Sequence, residues 1–396
     1  MPQEVLNPVT TPPTTTPTNG SSKAPPAKAG LEDVVAGTSD ICFLDGKRGI
    51  LAYRGYDIHD LVKGTFEETC YLLLYSKLPN ASELSEFSKK LVASRRVPEQ
   101  VKARFAEFPR NIHPMAALRT LVSEAGLYDA QAEDMSRESN IEKGIRLIGM
   151  LPLLVAYFDA ARNGRAFPES KNSLGHAANY LYMLLGKEQD ADVVKMFDSA
   201  LTLHADHEFN ASTFTARCIA ATLSDIYSAV TGAIGALKGP LHGGANEQVM
   251  KMLLKVGDPA KTKEWITDAL ARKEKIMGFG HRVYRTEDPR ATHLRKFSEA
   301  MGKRTGEMQW FQMSKTIEAF MLQERKIYSN VDFYSASTYY LMGIPLDLYT
   351  PIFAISRVSG WVAHILEQYA HNRIIRPMAD YTGPVDLAWQ PISERV

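Results

Sequence analysis

Ser212-Thr-Phe-Thr-Ala-Arg-Cys-Ile-Ala-Ala-Thr-Leu-Ser-Asp-Ile-Tyr-Ser-Ala-Val-Thr-Gly-Ala-Ile-Gly-Ala-Leu237 is dominated by Ala, Gly, Ser and Thr. Small side chains let helix backbones approach closely, so the stretch belongs in a buried helical layer or in a subunit interface. Outward from it, helix starts recur. Asp258-Pro259, Asp288-Pro289 and Thr350-Pro351 each pair a capping residue with proline at the first helical position. Towards the N-terminus, Thr65 and Asn80 each stand three residues before a glutamate, Glu68 and Glu83. That is the spacing of a capping box, and Leu84, Phe87 and Leu91 then follow at helical intervals. Strand signals are confined to Ile41–Leu44 and Ile50–Tyr53, two short runs around the glycine turn Asp45–Gly49. The expected fold is all-α with one small N-terminal β-hairpin, and no repeat of solenoid length occurs.

The chain has 396 residues, 45% of them hydrophobic, enough for one large core or two lobes. A formal net charge of +1 argues against the basic footprint of a nucleic-acid binder and against a polybasic membrane anchor. Cys42, Cys70 and Cys218 are far apart and lack C-x-x-C spacing, which disfavours a disulfide framework or a cysteine-rich metal site. The longest apolar run, Gly149–Phe158, is interrupted by Pro152 and closed by Asp159, too short to cross a bilayer, and reads as buried core. Residues 1–28 repeat Pro and Thr with almost no aliphatic periodicity and are expected to be a disordered tail. They contain Glu4, no Arg and no apolar signal core, so the expected location is the cytoplasm.

Candidate chemistry clusters in the C-terminal half. In Leu203-His-Ala-Asp-His-Glu-Phe209, His204 and His207 are three apart and could share one helix face, as ligand-binding or as satisfied structural histidines. A zinc reading lacks the H-E-x-x-H order and a third ligand, so no metal is expected. In Lys238-Gly-Pro-Leu-His-Gly-Gly-Ala-Asn246, glycines around His242 allow a ligand to approach the backbone, and a helix should begin just after it. A histidine at a helix N-terminus is held neutral by the dipole and can donate to a carbonyl oxygen, although an incidental histidine fits the pattern equally. Lys275-Ile-Met-Gly-Phe-Gly-His-Arg-Val-Tyr-Arg285 sets His281 behind paired glycines with Arg282 and Arg285 nearby. This suits a phosphorylated aromatic cofactor or is a simple turn, but it is no dinucleotide fingerprint, lacking the third glycine and a preceding strand.

Arg290 falls in the first turn after Asp288-Pro289, where exposed N–H groups and a guanidinium can jointly hold a carboxylate; a surface arginine is the plain alternative. Arg357 lies in the apolar Ile352-Phe-Ala-Ile-Ser-Arg-Val-Ser-Gly-Trp361 and needs an anion, either an internal Glu or a substrate carboxylate. Asp332, in Ser329-Asn-Val-Asp-Phe333, is either an N-cap or a catalytic base. Taking a proton from a thioester methyl requires a hydrogen bond to the carbonyl oxygen as charge develops, which a carboxylate and a neutral histidine would supply together.

L-H-x-D-H-E, G-P-L-H-G-G-A-N, G-F-G-H-R-V-Y, D-P-R, N-V-D, I-S-R and R-P occur here in the order seen in the citrate synthase family. The resemblance spans the chain from Gly30 onward, including Gly49-Ile-Leu-Ala-Tyr-Arg-Gly-Tyr56 and Ile112-His-Pro-Met115. It implies a two-domain multi-helical fold, with residues 29–230 and 331–396 forming a large domain and 231–330 a small one that closes over substrate. It implies that His207, His281, Arg290 and Arg357 bind oxaloacetate, with Arg376 reaching across a homodimer interface. His281 would polarise the ketone, Asp332 would take the methyl proton of acetyl-coenzyme A, and His242 would donate to the thioester oxygen. Coenzyme A would lie against Ile276, Met277, Gly278, Phe279, Gly280 and Arg285. No tightly bound cofactor and no NADH site are implied, acetyl-coenzyme A being a co-substrate. The 2-methylcitrate synthases share these motifs and accept propionyl-coenzyme A, a difference of one methylene. A non-catalytic coenzyme-A-binding helical dimer would be expected to lack one of His242, His281 and Asp332, yet all are present.

Overall fold

In a computed structural model of the chain, residues 29–31 and 34–395 are described; the expected disordered tail, 1–28, lies outside the described residues. The strands come first: β1 Cys42–Asp45, β2 Ile50–Tyr53 and β3 Tyr56–Asp57 form an antiparallel sheet in that order, with Cys42 opposite Tyr53 and Tyr53 opposite Tyr56. The third strand was not expected, because two residues carry no period to read.

Helices then follow in an almost unbroken series. The first group is α1 Ile58–Leu61, α2 Phe66–Tyr75, α3 Ala81–Ala93, α4 Glu99–Arg104, α5 Pro114–Gly126 and α6 Arg137–Arg162. The second is α7 His176–Leu185, α8 Ala191–His204, α9 Ala211–Ala220, α10 Ile226–Leu237 and α11 Ala245–Val256. The last is α12 Thr262–Ala271, α13 Pro289–Thr305, α14 Gln309–Arg325, α15 Val331–Leu341 and α16 Tyr349–Ala370.

Both capping boxes form as the spacing predicts, Thr65 with Glu68 on α2 and Asn80 with Glu83 on α3. Asp288 caps α13 with Pro289 at its first position. The other two proline signals are displaced. Asp258-Pro259 opens a short 3-10 turn, Pro259–Lys261, ahead of α12, while α16 begins at Tyr349 after a 3-10 turn and so takes in Thr350-Pro351. Proline is tolerated anywhere in the first turn, where its missing N–H has no partner to lose, so it marks a start only to within a residue or two.

The alanine- and glycine-rich stretch becomes α9 and α10, which pack on each other so closely that a Cβ on Gly232 would stand 2.2 Å from the Ile219 side chain. α16 is the central helix: all residues from Tyr349 to Ile365 are buried, and it contacts α2, α6, α8, α9 and α10. The apolar run Gly149–Phe158 lies in α6, which is longer than the run suggested; α6 meets the length and hydropathy of a membrane span, but 89% of that window is buried inside the protein. Continuous burial explains the composition without a bilayer.

Residues 39–376 form one body, which holds every element above. The two terminal segments, through Thr38 and from Pro377, form the other. Among their described residues, regular structure is limited to short 3-10 turns at Ala29–Leu31 and Ile392–Glu394, and Tyr381 Oη donates to the Pro384 carbonyl at 2.9 Å.

Candidate active site

α8 ends at His204, and the chain then reverses through Glu208, which adopts a left-handed backbone (φ 53°). His204 and His207 therefore do not share a helix face, contrary to the expectation from spacing. His204 Nδ1 donates to the Ala200 carbonyl at 2.6 Å inside α8, whereas His207 lies beyond the helix with Nε2 3.3 Å from Tyr284 Oη. The His207 ring meets the His281 ring edge-on at 5.0 Å between centroids. Burial, reinforced by the Arg290 guanidinium, pushes the His207 pKa well below the usual range, so the ring is neutral.

His281 is fixed by its own loop. Its Nδ1 accepts from the backbone N–H of Val283 at 3.0 Å and of Tyr284 at 3.2 Å, so the proton of the neutral ring sits on Nε2. Burial and then Arg290 push its pKa down to about 4. The loop is held by the turn of the N-terminal hairpin: Arg285 N–H donates to the Gly46 carbonyl at 2.8 Å, and a Cβ on Gly46 would stand 2.1 Å from the Val283 carbonyl oxygen.

His242 precedes the Gly244 cap of α11, as expected, but the helix end it faces belongs to α9. Its Nε2 accepts from the Ser212 N–H at 3.3 Å and lies 2.9 Å from Ser212 Oγ, which leaves the proton on Nδ1. Burial, followed by the charge of Arg357, pushes its pKa down to about 4. Trp361 Nε1 donates to the same Ser212 Oγ at 3.1 Å.

The arginines are buried. Arg290 directs Nε (3.0 Å) and Nη2 (2.8 Å) to Asp288, leaving Nη1 for a ligand. Arg357, 1% exposed, donates Nε to the His204 carbonyl at 2.6 Å and stacks over Phe353. Among the described residues no carboxylate pairs with it, so the internal Glu considered from sequence is not found, and burial pushes its pKa down to about 10. A buried guanidinium bound only to a carbonyl is an incomplete anion site.

Asp332 is not the cap of α15; Asn330 is, and it accepts from the Asp332 N–H at 3.0 Å. Relieved of that duty, the Asp332 carboxylate is buried, and Oδ1 has no partner among the described residues. Burial raises its pKa to about 7 against the opposing pull of Arg290. Asn330 also ties the segment to the glycine loop: its Nδ2 donates to the Gly280 carbonyl (3.0 Å) and its N–H to the Gly278 carbonyl (2.9 Å), while Phe279 and Ser329 form an isolated β-bridge. Gly278 and Gly280 have φ of 81° and 79°, and a Cβ on Gly278 would stand 2.8 Å from Phe333 and Val249. Of the other loop residues, Ile276 is buried, Met277 half-buried and Arg285 exposed; Arg376 is also exposed.

The structure thus gathers His207, His281, Tyr284, Arg290, Arg357 and Asp332 into one electrostatic neighbourhood, with His242 adjoining it through Arg357. Ser212, Tyr284, Asn330 and Asp288 were not legible as site residues, except that Asp288 stood out as a cap. Two neutral imidazoles presenting N–H groups, buried guanidiniums and an unpartnered carboxyl with a raised pKa form the equipment of an enzyme that removes a proton beside a carbonyl and adds the carbon to an anionic electrophile.

Comparisons with known proteins agree. A sequence model of the citrate synthase C-terminal domain matches residues 30–378. Citrate synthase 2 of Bacillus subtilis is 52% identical across 93% of this chain and 99% of its own, and a 2-methylcitrate synthase of Mycobacterium tuberculosis is 43% identical across 91% of both. Citrate synthase from Thermoplasma acidophilum, solved as a ternary complex with carboxymethyl coenzyme A and oxaloacetate, superposes with a TM-score of 0.88 at 32% identity over 92% of this chain and 98% of that one. The fold is that of a condensing acyltransferase. The chain belongs to the citrate synthase family.

Proposed function

We propose that the protein condenses acetyl-coenzyme A with oxaloacetate and hydrolyses the resulting citryl-coenzyme A to citrate and coenzyme A. The observation that carries this reading is Asp332, a buried carboxyl with no partner on Oδ1 among the described residues and a pKa near 7, set beside Arg290 and the carboxylate-free Arg357. Arg290 Nη1 and Arg357 take the oxaloacetate carboxylates, with His207 beside them. Asp332 accepts a methyl proton while His242 Nδ1–H stabilises the thioester oxygen of the enol. The methyl carbon then attacks the ketone carbon, whose oxygen is polarised by His281 Nε2–H. Water completes the reaction by releasing coenzyme A.

Coenzyme A itself rests on residues 276–280 and Arg285, where the clamped glycine loop offers backbone and the arginine offers charge to its phosphates. Residues 231–330 act as a small domain that closes on oxaloacetate before the thioester reacts, with 29–230 and 331–396 as its base. The active form is a homodimer in which Arg376 serves the partner's site. Its exposure supports this, as do the exposed Met378, Tyr381, Val385, Leu387 and Trp389 that follow it. The reading assigns the enzyme to the cytoplasm, with acetyl-coenzyme A as co-substrate and no tightly bound cofactor.

Propionyl-coenzyme A is the second acyl donor to test, since the 43% identical mycobacterial relative is a 2-methylcitrate synthase. Oxaloacetate-dependent release of coenzyme A is expected to show a higher kcat/KM with the acetyl than with the propionyl thioester. The reverse order reassigns the acyl substrate, and no release from folded protein removes the enzymatic reading. Sedimentation should return a dimer, and a fully active monomer would remove Arg376 from the site.

A further inference from the structure

Glu318, on α14, lies outside the residues assigned to binding or chemistry, yet its carboxylate accepts four hydrogen bonds. Oε1 takes Ser329 Oγ at 2.9 Å and Arg295 Nη2 at 2.7 Å, and Oε2 takes Tyr334 Oη at 2.8 Å and Lys315 Nζ at 2.9 Å. Two of these donors bracket the base, Ser329 three residues before Asp332 and Tyr334 two after. Ser329 is also the residue bridged to Phe279 of the glycine loop. The third, Arg295, belongs to α13, the helix whose first turn carries Arg290, and it pairs further with Glu287 in the stretch between His281 and Arg290. One side chain thus touches the base segment on both flanks, the helix that carries a substrate arginine, and, through Arg295, the run behind His281.

We propose that Glu318 is a positioning residue for the condensation, fixing the Asp332 segment against the helix of Arg290 and the glycine loop so that the base meets the thioester methyl in a reactive geometry. This inference rests on the function proposed above. Its physical basis is that Asp332 has no partner on Oδ1 among the described residues, so its place is set by the backbone around it, and that backbone is fixed at Ser329 and Tyr334. Although burial works against its ionisation, the donors around Glu318 outweigh it and hold the carboxyl below the usual range, so it is an anion at neutral pH. A purely structural ion network of the same size could sit anywhere among α13, α14 and α15; this one closes on the two flanks of the base.

The test compares wild type with Glu318→Gln in the full chain. The variant should lower kcat with acetyl-coenzyme A by about 10²-fold, the scale of a small misplacement of a reacting group. The oxaloacetate dissociation constant, measured calorimetrically, should stay within about twofold, because Arg290, Arg357 and His207 are untouched. The isotope effect with methyl-deuterated acetyl-coenzyme A should not fall below that of wild type. A kcat close to wild type overturns the proposal, as does a parallel loss of kcat and oxaloacetate affinity. If Glu318→Gln does not fold, Ser329→Ala/Tyr334→Phe, which keeps the charge, should show the same split at about tenfold in kcat, and an unchanged kcat overturns the proposal there. A wild type inactive with both thioesters breaks the functional reading and this role with it, whereas an active wild type with an unimpaired variant breaks this role alone.

Discussion

The loop around His281 and the loop around His242 solve one problem in opposite ways. Both imidazoles are half-buried, both have pKa values pushed down to about 4, and both are neutral near pH 7. In the first, backbone N–H groups of Val283 and Tyr284 occupy Nδ1 and leave the proton on Nε2; in the second, the Ser212 N–H occupies Nε2 and leaves it on Nδ1. Burial therefore sets the charge, and a backbone donor on the far nitrogen sets where the proton points. The donor is local for His281 and comes from another helix for His242. Val283 and Tyr284 stand in the same motif as His281, whereas nothing in the sequence pointed from His242 to Ser212.

Removing Asp332, the proposed base, gives the largest effect. Asp332→Ala should lower kcat by about 10³-fold or more with either thioester, leaving oxaloacetate binding in place. In wild type, kcat/KM should rise with pH through about 7, since only the ionised carboxylate accepts a proton. A flat profile across that range would place the base elsewhere.

Replacing one histidine at a time separates the two loops. His281→Ala and His242→Ala should each cost about 10²- to 10³-fold in kcat, the scale of a lost preorganised donor. His281→Ala should also weaken oxaloacetate binding, while His242→Ala should not. Equal effects on oxaloacetate would break the distinction. Nitrogen-15 spectra can sharpen it, with Nε2 protonated in His281, Nδ1 in His242, and neither ring titrating until well below pH 6.

A smaller effect concerns stability. An Asp ionises near pH 4 in the unfolded chain and near 7 at position 332, so the folded state holds a proton that the unfolded state has lost. Stability is therefore lost as pH rises from about 4 to about 7. Asp332→Asn escapes that loss and should exceed wild type in stability at pH 8 by on the order of 2–4 kcal/mol, with little difference at pH 4. Thermal or urea unfolding at the two pH values checks this, and an equal difference at both would mean that the carboxyl is not desolvated. The smallest effect belongs to Ser212→Ala. The Ser212 N–H that sets the His242 tautomer survives, so kcat should fall by only about 3- to 10-fold through loss of the Oγ contact.

What could be read from sequence follows the range of the interactions. The capping boxes at Thr65 and Asn80 are local, involving residues three apart, and both formed. Asn330 displaced Asp332 as cap because either residue type suits the role and only the backbone decides between them. Arg357 announced its need for an anion through its apolar neighbours, but that no carboxylate among the described residues pairs with it depends on α8, whose His204 carbonyl it meets instead. Ser212 and Tyr284 gave no signal because each acts on a histidine that only the fold brings to it.

Gly46 lies far along the chain from Val283, yet the two fit with no room for even a methyl group between them. In evolutionary terms, the hairpin turn and the loop of His281 form one heritable unit. A homologue's hairpin grafted alone, or a residue inserted between Asp45 and Gly49, would strike the proposed oxaloacetate site without altering any residue assigned to it. Lineages should therefore have exchanged or lengthened this turn only together with the loop it supports.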